Sequence, residues 1–138
     1  APSNPGLKAT WHEFKGNKCS EIEKAPVNGT YPVEDVMIPK KVKGNIGLII
    51  KGYFNAPQDD IYTFALLSDD GSTLTIDSEQ IVDNDGPHGP KEIVGQKALA
   101  KGYHPMELRY FDQNGGQLKL KVTGSDGKEI PFTHLYAH

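Results

Sequence analysis

Two consecutive carboxylates, Asp69 and Asp70, stand in the short polar run Ser-Asp-Asp-Gly-Ser at residues 68–72. Carboxylate oxygens can bind a cation. Adjacent side chains normally diverge, so both carboxylates reach one ion only where the backbone is unusual. Aspartate in a turn also accepts hydrogen bonds from backbone N–H groups. The residue types therefore leave two roles open, a site for a cation or a cap for the turn.

A second polar run, Asp-Asn-Asp-Gly-Pro-His, follows at residues 83–88. Asp83, Asn84 and Asp85 offer oxygen ligands, and His88 can donate a hydrogen bond to a ligand hydroxyl or a neighbouring carboxylate. A third run at residues 112–116 offers Asn114 and backbone carbonyls as further oxygen ligands. The spacing alone does not choose between the second and third runs as the partner of Asp69 and Asp70.

The same residues do not suggest catalysis. A glycosidase places two carboxyl groups about 5 to 9.5 Å apart, with one kept protonated, and neighbouring residues of a turn suit that poorly. His88 lacks a recognisable nucleophile to activate. A single cysteine, Cys19, excludes an internal disulfide and a four-cysteine zinc site. The other histidines show no metal-ligand spacing: His12, His104, His134 and His138.

Alternating apolar and polar residues predict the strands that position these runs. Residues 62–66 and 73–77 both alternate with the period of two of a half-buried strand, and residues 81–82 suggest a third short strand. We therefore expect a tight turn at residues 68–72. If the strands between them return the chain to the same end, Asp69, Asp70 and residues 83–88 line one shallow polar pocket.

The rest of the chain extends this β pattern, and no stretch has the length and capping residues of a convincing helix. Residues 46–55 are apolar on both faces, as expected of a central strand covered on both sides. The sequence predicts an all-β fold, an antiparallel β-sandwich of about ten strands. The remaining predicted strands are residues 7–12, 33–38, 97–100, 106–111, 117–123 and 130–136.

Composition limits the partners. The 138 residues carry a net charge of -3 with a pI near 5.9, and Arg109 is the only arginine, which argues against a nucleic-acid partner. No apolar run approaches the roughly 18 residues of a membrane span, so we expect no membrane insertion. We expect residues 1–138 to form a single domain, and the linker-like residues 1–6 suggest that it belongs to a longer protein.

The order of these motifs resembles the protective-antigen fourteen-kilodalton domain family, a β-sandwich of bacterial toxins, glycosidases and yeast adhesins. Two turns depart from the family pattern: Asp59-Asp60 replaces a frequent Thr-Gly, and Ser78 replaces a frequent Gly. The resemblance covers residues 7–136. The motifs that carry it are Gly52-Tyr53-Phe54, Pro57, Tyr62-Thr63-Phe64, Ser68-Asp69-Asp70-Gly71-Ser72, Ile76-Asp77, Val82-Asp83-Asn84, Gly86, His88, Gly102-Tyr103-His104-Pro105 and Leu108-Arg109-Tyr110-Phe111.

The resemblance implies a site and a function. In the adhesin branch, the peptide between two consecutive aspartates is cis and both carboxylates bind a calcium that contacts sugar hydroxyls; Asp69 and Asp70 match that pair. Calcium takes about 6 to 8 oxygen ligands and tolerates irregular geometry, so it needs further ligands. Asn114 is one candidate, and Asp83, Asn84 and Asp85 are the other candidate set. The implied function is that of a lectin-like, carbohydrate-binding accessory module of a secreted glycoside hydrolase, such as a β-glucosidase or β-hexosaminidase. The alternative is a structural domain that binds no sugar.

The resemblance also implies a setting for the domain. Its partners would be a glycan and a neighbouring catalytic domain of the same chain. Its location would be secreted, periplasmic or at the cell surface.

Overall fold

The computed structural model describes residues 4–42, 44–113 and 116–137. It confirms the predicted all-β sandwich, built from two antiparallel sheets. No helix within these ranges is both long enough and apolar enough to cross a membrane. The strands are β1 Asn4–Pro5, β2 Leu7–Glu13, β3 Gly29–Val33, β4 Ile46–Ala56, β5 Asp60–Asp69, β6 Ser72–Ile76, β7 Glu79–Asn84, β8 Lys91–Leu99, β9 Gly102–Asp112, β10 Gln117–Thr123 and β11 Leu135–Ala137.

The larger sheet has eight strands and is organised around β4. One edge of β4 pairs with β9 over its whole length, from Ile46 opposite Asp112 to Ala56 opposite Gly102. Its other edge is divided, because β2 pairs with the first half and β11 with the second. Strands β6 and β7 continue the sheet beyond β9. The predicted central strand is thus confirmed as the middle of the sheet.

The smaller sheet has three strands in the order β10-β5-β8 and covers the inner face of the larger one. Every second residue of β5 is buried, as its alternating sequence predicts. Phe54 of the larger sheet packs edge-on against Tyr62 and Phe64 of β5, with ring centroids 5.3 and 5.7 Å apart. Such aromatic contacts across the two sheets form the middle of the main core.

A second, smaller core lies on the outer face of the larger sheet, under a short 3-10 helical turn, Cys19–Lys24. The ring of Phe14 packs edge-on against Phe111 at 5.9 Å. Arg109 holds the turn in place, since its guanidinium contacts the Cys19 carbonyl at 3.4 Å and the Glu23 carboxylate at 3.4 Å. The cluster consists of Phe14, Cys19, Ile22, Ile49 and Phe111.

Two strand predictions need correction, and the turn after β5 takes an unexpected course. The early strand is Gly29–Val33 rather than residues 33–38. The last strand is only Leu135–Ala137 and lies between β1 and β4, so it is not an edge strand. The turn at residues 69–71 joins β5 of one sheet to β6 of the other, so these consecutive strands do not pair. Alternation shows that a strand has a buried face, but it does not identify the strand's neighbours.

The hairpin that joins β6 to β7 turns at Asp77 and Ser78, whose φ angles are 52° and 65°. Two successive positive φ angles are typical of the type I′ turn, which favours glycine because side chains crowd the backbone there. Ser78 is the residue that departs from the family pattern. The turn forms with serine at this position, but a side chain is less favourable than glycine at a positive φ angle.

We therefore expect Ser78→Gly to stabilise the protein. Removing the side chain from a left-handed conformation should raise the free energy of unfolding by about 1 kcal/mol, or the melting temperature by about 3 °C. Chemical denaturation of the variant measures this directly. Ser125→Gly is the control, because Ser125 has no positive φ angle. An unchanged or lower stability of the Ser78 variant would contradict the assignment.

Candidate functional site

The crossing between the two sheets places Asp69 and Asp70 at one end of the sandwich. The peptide bond between them is cis, as the family resemblance implied. The Asp70 amide donates to the Phe111 carbonyl at 3.1 Å, and the Phe111 amide donates back to the Gly71 carbonyl at 3.0 Å. The turn is therefore attached to the end of β9, where the run at residues 112–116 begins.

The Asp70 carboxylate joins the three polar runs. Its Oδ1 accepts a hydrogen bond from the His88 amide at 3.1 Å, and its Oδ2 accepts one from the Gln113 amide at 3.0 Å. Each oxygen retains a second lone-pair direction. Asp70 therefore caps the two neighbouring loops, and each of its oxygens can still accept one more hydrogen bond or bind a cation.

Two glycines allow the loops to approach this closely. A Cβ atom on Gly71 would lie 2.5 Å from the Phe111 ring and 2.7 Å from the Gly86 amide nitrogen. One on Gly116 would overlap the Asp69 carbonyl oxygen. Any larger residue at either position would push the loops apart. These contacts show that residues 68–72, residues 83–88 and the described residues 112, 113 and 116 lie at the same end of the sandwich.

The backbone carbonyl of Asp69 has a structural role. Its carbonyl accepts a hydrogen bond from the Tyr110 hydroxyl at 2.7 Å. Burial raises the pKa of Tyr110 well above its usual range, and the nearby carboxylates of Asp112, Asp69 and Asp70 raise it further. Tyr110 therefore remains a neutral donor. The Asp69 carboxylate is partly exposed and has no hydrogen-bond or ion-pair partner among the described residues.

A buried hydrogen-bond network supports the turn from below. The Ser68 hydroxyl contacts the Asp70 carbonyl at 2.8 Å and the Ser72 hydroxyl at 2.5 Å. The Asn84 side-chain amide donates to the carbonyls of Leu66 and Lys91 at 3.3 and 2.8 Å. Asn84 is only 3% exposed. We predicted that Asn84 binds ligand, but its side chain is buried and ties β7 to β5 and β8 of the smaller sheet.

Asp83 and Asp85 also face away from Asp70. Asp83 is exposed on β7, where side chains alternate between faces, so it lies opposite the buried Asn84. Asp85 Oδ1 accepts hydrogen bonds from the amides of Cys19 and Gly86 at 3.0 and 2.9 Å. The predicted ligand role of both carboxylates gains no support from these positions. Asp85 instead connects the second polar run to the 3-10 turn.

His88 contributes its backbone to the site. Its ring nitrogens lie 2.7 Å from the Asn84 carbonyl and 2.7 Å from the Gly89 carbonyl. Both contacts are with atoms of its own loop, so the ring closes that loop. Its amide meets Asp70, as described above. A sugar hydroxyl could replace one ring contact only if the loop rearranged.

The sequence did not point to Tyr110 or Gln113 as site residues. Tyr110 belongs to a predicted strand and to a family motif, and neither marks it as a site residue, although a buried tyrosine hydroxyl normally requires a hydrogen-bond partner. Gln113 takes part through its backbone amide, which carries no signal in the sequence. Its side chain reaches a further segment by donating to the Gly16 carbonyl at 3.3 Å. Asn114, predicted as a calcium ligand, lies outside the described residues.

The donor set fits a calcium ion better than a transition metal. Within the described ranges, no three or more His, Cys, Asp or Glu side chains are grouped to hold a metal. The available groups are the Asp69 and Asp70 carboxylates together with nearby carbonyls, all of which are oxygens. Calcium prefers such oxygen ligands, whereas zinc and copper favour nitrogen and sulfur.

A two-sheet antiparallel sandwich with an aspartate pair at the crossing between its sheets defines a recognisable class of domain. Residues 3–132 match the PA14 domain family. The chain belongs to this family, which confirms the resemblance noted from its motifs. Among curated proteins, none matches the sequence.

Several solved structures share the fold at low sequence identity. A PA14 sugar-binding domain from an RTX adhesin aligns with a TM-score of 0.82 and 16% identity over 99% of this chain and 100% of that chain. The adhesin domain Epa9A from Candida glabrata, in complex with Galβ1-3GlcNAc, aligns with a TM-score of 0.72 and 13% identity over 97% and 89%. A β-glucosidase from Kluyveromyces marxianus aligns at 0.67 and 17%, over 87% of this chain and 16% of that chain.

The position of Asp85 predicts a structural role. Asp85→Ala removes the acceptor of the Cys19 amide and should lower the free energy of unfolding by about 1 to 3 kcal/mol. Asp85→Asn retains a side-chain oxygen and should lose less. Urea denaturation measures both, and faster hydrogen exchange at the Cys19 amide locates the change. Glu92→Ala is the control, since Glu92 is an exposed carboxylate with no hydrogen-bond or ion-pair partner among the described residues, and an equal loss in that variant would contradict the role.

Because of Tyr110, we expect the free energy of unfolding to fall at alkaline pH. An unfolded tyrosine ionises near pH 10, whereas the raised pKa keeps folded Tyr110 neutral, so its contribution is present below pH 10 and is lost as pH rises further. Tyr110→Phe should cost about 1 kcal/mol at pH 8 and flatten the decline above pH 10. Denaturation at several pH values tests this. An identical alkaline decline in both proteins would contradict it.

Proposed function

We propose that this domain binds carbohydrate at the end of the sandwich formed around Asp69 and Asp70. The observation that carries the proposal is that the two carboxylates have different roles. Asp70 fixes the three loops, while the Asp69 carboxylate is partly exposed with no partner among the described residues. The similar RTX adhesin domain is described as sugar-binding, and the similar Epa9A domain was solved with a bound disaccharide.

Calcium is the cofactor in this proposal. Asp69 and Asp70 would hold the ion, and Asn114 is the expected third side chain. The bound ion would supply a positive centre for paired sugar hydroxyls. The chain supplies the rest: Asp70 holds the amides of His88 and Gln113 in place, and Tyr110 fixes the Asp69 carbonyl. The polar loop ends then offer hydrogen bonds to the remaining hydroxyls.

The finer proposal is that the domain serves as a non-catalytic accessory module of a secreted glycoside hydrolase. The aligned β-glucosidase supports it, because the region that aligns with this domain is a small part of a much longer enzyme. A neighbouring catalytic domain in the same chain would then be a second partner, and the location would be secreted, periplasmic or at the cell surface.

The second candidate function is a structural domain that packs against a catalytic domain and binds no sugar. One observation favours it: the contacts of Asp70 with His88 and Gln113 already give that carboxylate a role in loop structure. A glycan array probed with the purified domain, in calcium and in chelator, separates the two functions. We expect binding in calcium that chelator abolishes. A blank array under both conditions supports the structural domain.

We expect substitutions of the two aspartates to have different effects on stability and on the response to calcium. Asp69→Asn should leave the calcium-free melting temperature nearly unchanged, because the carboxylate has no partner among the described residues, but should abolish stabilisation by calcium. Asp70→Asn replaces an acceptor oxygen with a donor and should cost about 1 to 3 kcal/mol even without calcium. Thermal denaturation with and without calcium measures both effects.

Asp126→Asn serves as the matched control, since within the described residues its side chain accepts a hydrogen bond only from the Lys128 amide, in a surface turn. It should retain the full response to calcium. A wild-type melting temperature that ignores both calcium and chelator would remove support for the metal. Retention of the calcium response in the Asp69 variant would contradict a calcium site at the aspartate pair.

A further inference from the structure

The two long sides of the sandwich differ, because one is closed and the other leaves a seam between the sheets. On the closed side, β8 lies directly against β7, so that a Cβ atom on Gly95 would overlap the Ile81 carbonyl oxygen. The Asn84 side chain also joins these strands by donating to the Lys91 carbonyl at 2.8 Å. On the other side, β10 is the outer strand of the smaller sheet, and in the described chain β5 is the one strand that pairs with it.

A cavity of about 130 Å³ lies in this seam and reaches the main core. Side chains from both sheets form its apolar wall, and they are Phe54, Leu120, Val122 and Leu135. The volume is smaller than that of a drug-sized site. An engineered apolar cavity of about 150 Å³ binds benzene, so this one suits a group of about four to six carbon atoms.

The segment that follows β10 covers the seam and is held at both ends. The Ile130 amide donates to the Val122 carbonyl at 2.8 Å, and the His134 ring contacts the Asn55 carbonyl at 2.9 Å. Between these contacts, Phe132 lines the cavity although half of its surface is exposed. The cavity is therefore formed before any ligand arrives, and an aromatic ring stands at its mouth.

Two carboxylates, Asp35 and Glu129, also line this cavity. Asp35 is partly exposed and Glu129 is exposed. Burial raises the pKa of the Asp35 carboxyl; the Val36 amide lowers it, Glu129 raises it and Lys119 lowers it, with a net rise. Among the described residues, the carboxylates that form ion pairs are others. The mouth of the cavity thus carries two acidic groups that oppose each other's ionisation.

This combination of apolar wall and acidic mouth selects one class of ligand. An ammonium group has three N–H donors, so it can bond to two carboxylates at once, and such charge-assisted bonds are about twice as strong as neutral ones. A short aliphatic chain attached to it would replace water against the apolar wall. An anion would be repelled at the mouth, and a sugar would leave its hydroxyls without partners against the wall.

We propose that this cavity binds a small primary aliphatic amine, with its chain in the apolar seam and its ammonium group between the carboxylates of Asp35 and Glu129. The site is separate from the proposed glycan site. Val122 of its wall pairs with Phe64, which lies five residues before Asp69 on the same strand, a distance of about 17 Å. The inference therefore does not rest on the proposed function.

The test is a nuclear magnetic resonance titration with butylamine at pH 7, which follows the amide signals of Asp35, Val122 and Ile130. Two probes separate chain from charge: 1-butanol has the chain alone, and ammonium chloride has the charge alone. The proteins are the wild type, D35N/E129Q, E129Q and the control E92Q, which removes an exposed carboxylate of β8 that does not line the cavity. We expect butylamine to bind the wild type about tenfold more tightly than 1-butanol.

D35N/E129Q should lose about tenfold in butylamine affinity and E129Q about threefold, whereas E92Q should match the wild type. The amide spectrum of each variant reports its folding, and E129Q decides the matter if the double variant does not fold. Absence of butylamine binding to the wild type would overturn the site, as would equal affinities for butylamine and 1-butanol. The same signal changes with ammonium chloride, or unchanged butylamine affinity in E129Q, would also refute it.

Discussion

The end of the sandwich depends on the two hydrogen bonds that the Asp70 carboxylate accepts from the amides of His88 and Gln113. These amides belong to loops that leave different strands, and no regular β pairing joins them. A carboxylate is a strong acceptor, and bonds to an ionised group are worth about twice those between neutral groups. One side chain in a sheet crossing therefore sets the spacing of three loops, and the exposed surface of the site follows from that spacing.

Much of the fold could be predicted because it depends on local patterns. Alternation in residues 62–66 and 73–77 marked strands correctly, and the fully apolar start of β4 marked its central position. Strand neighbours were harder. The turn at residues 69–71 resembles a hairpin turn in composition, yet it carries the chain between sheets. That outcome is decided by long-range packing of β5 against β10 and β8, which short sequence windows do not contain.

The candidate site was predictable in place but less so in detail. The aspartate pair does contact described residues of both neighbouring polar runs. The Asn84 side chain, however, is buried, Asp83 is exposed on the opposite face of β7, and Asp85 accepts the Cys19 amide. Residue type indicates which atoms can bind a ligand, whereas the face of a strand determines whether they are available. The contacts of Gln113 and the glycine approaches depend on backbone atoms, which every residue possesses. The first long connection, from β2 to β3, showed no periodicity, so its approach to the site had no sequence signal.

The burial of Cys19 under the 3-10 turn also bears on how the molecule withstands its surroundings. Burial raises the pKa of the Cys19 thiol far above its usual range, and the Asp85 carboxylate raises it further. Disulfide exchange proceeds through the thiolate, so this sulfur is a poor nucleophile as well as an inaccessible one. Copies of the domain can therefore be crowded together in an oxidising medium without becoming covalently linked, and the protein can be stored without a reducing agent.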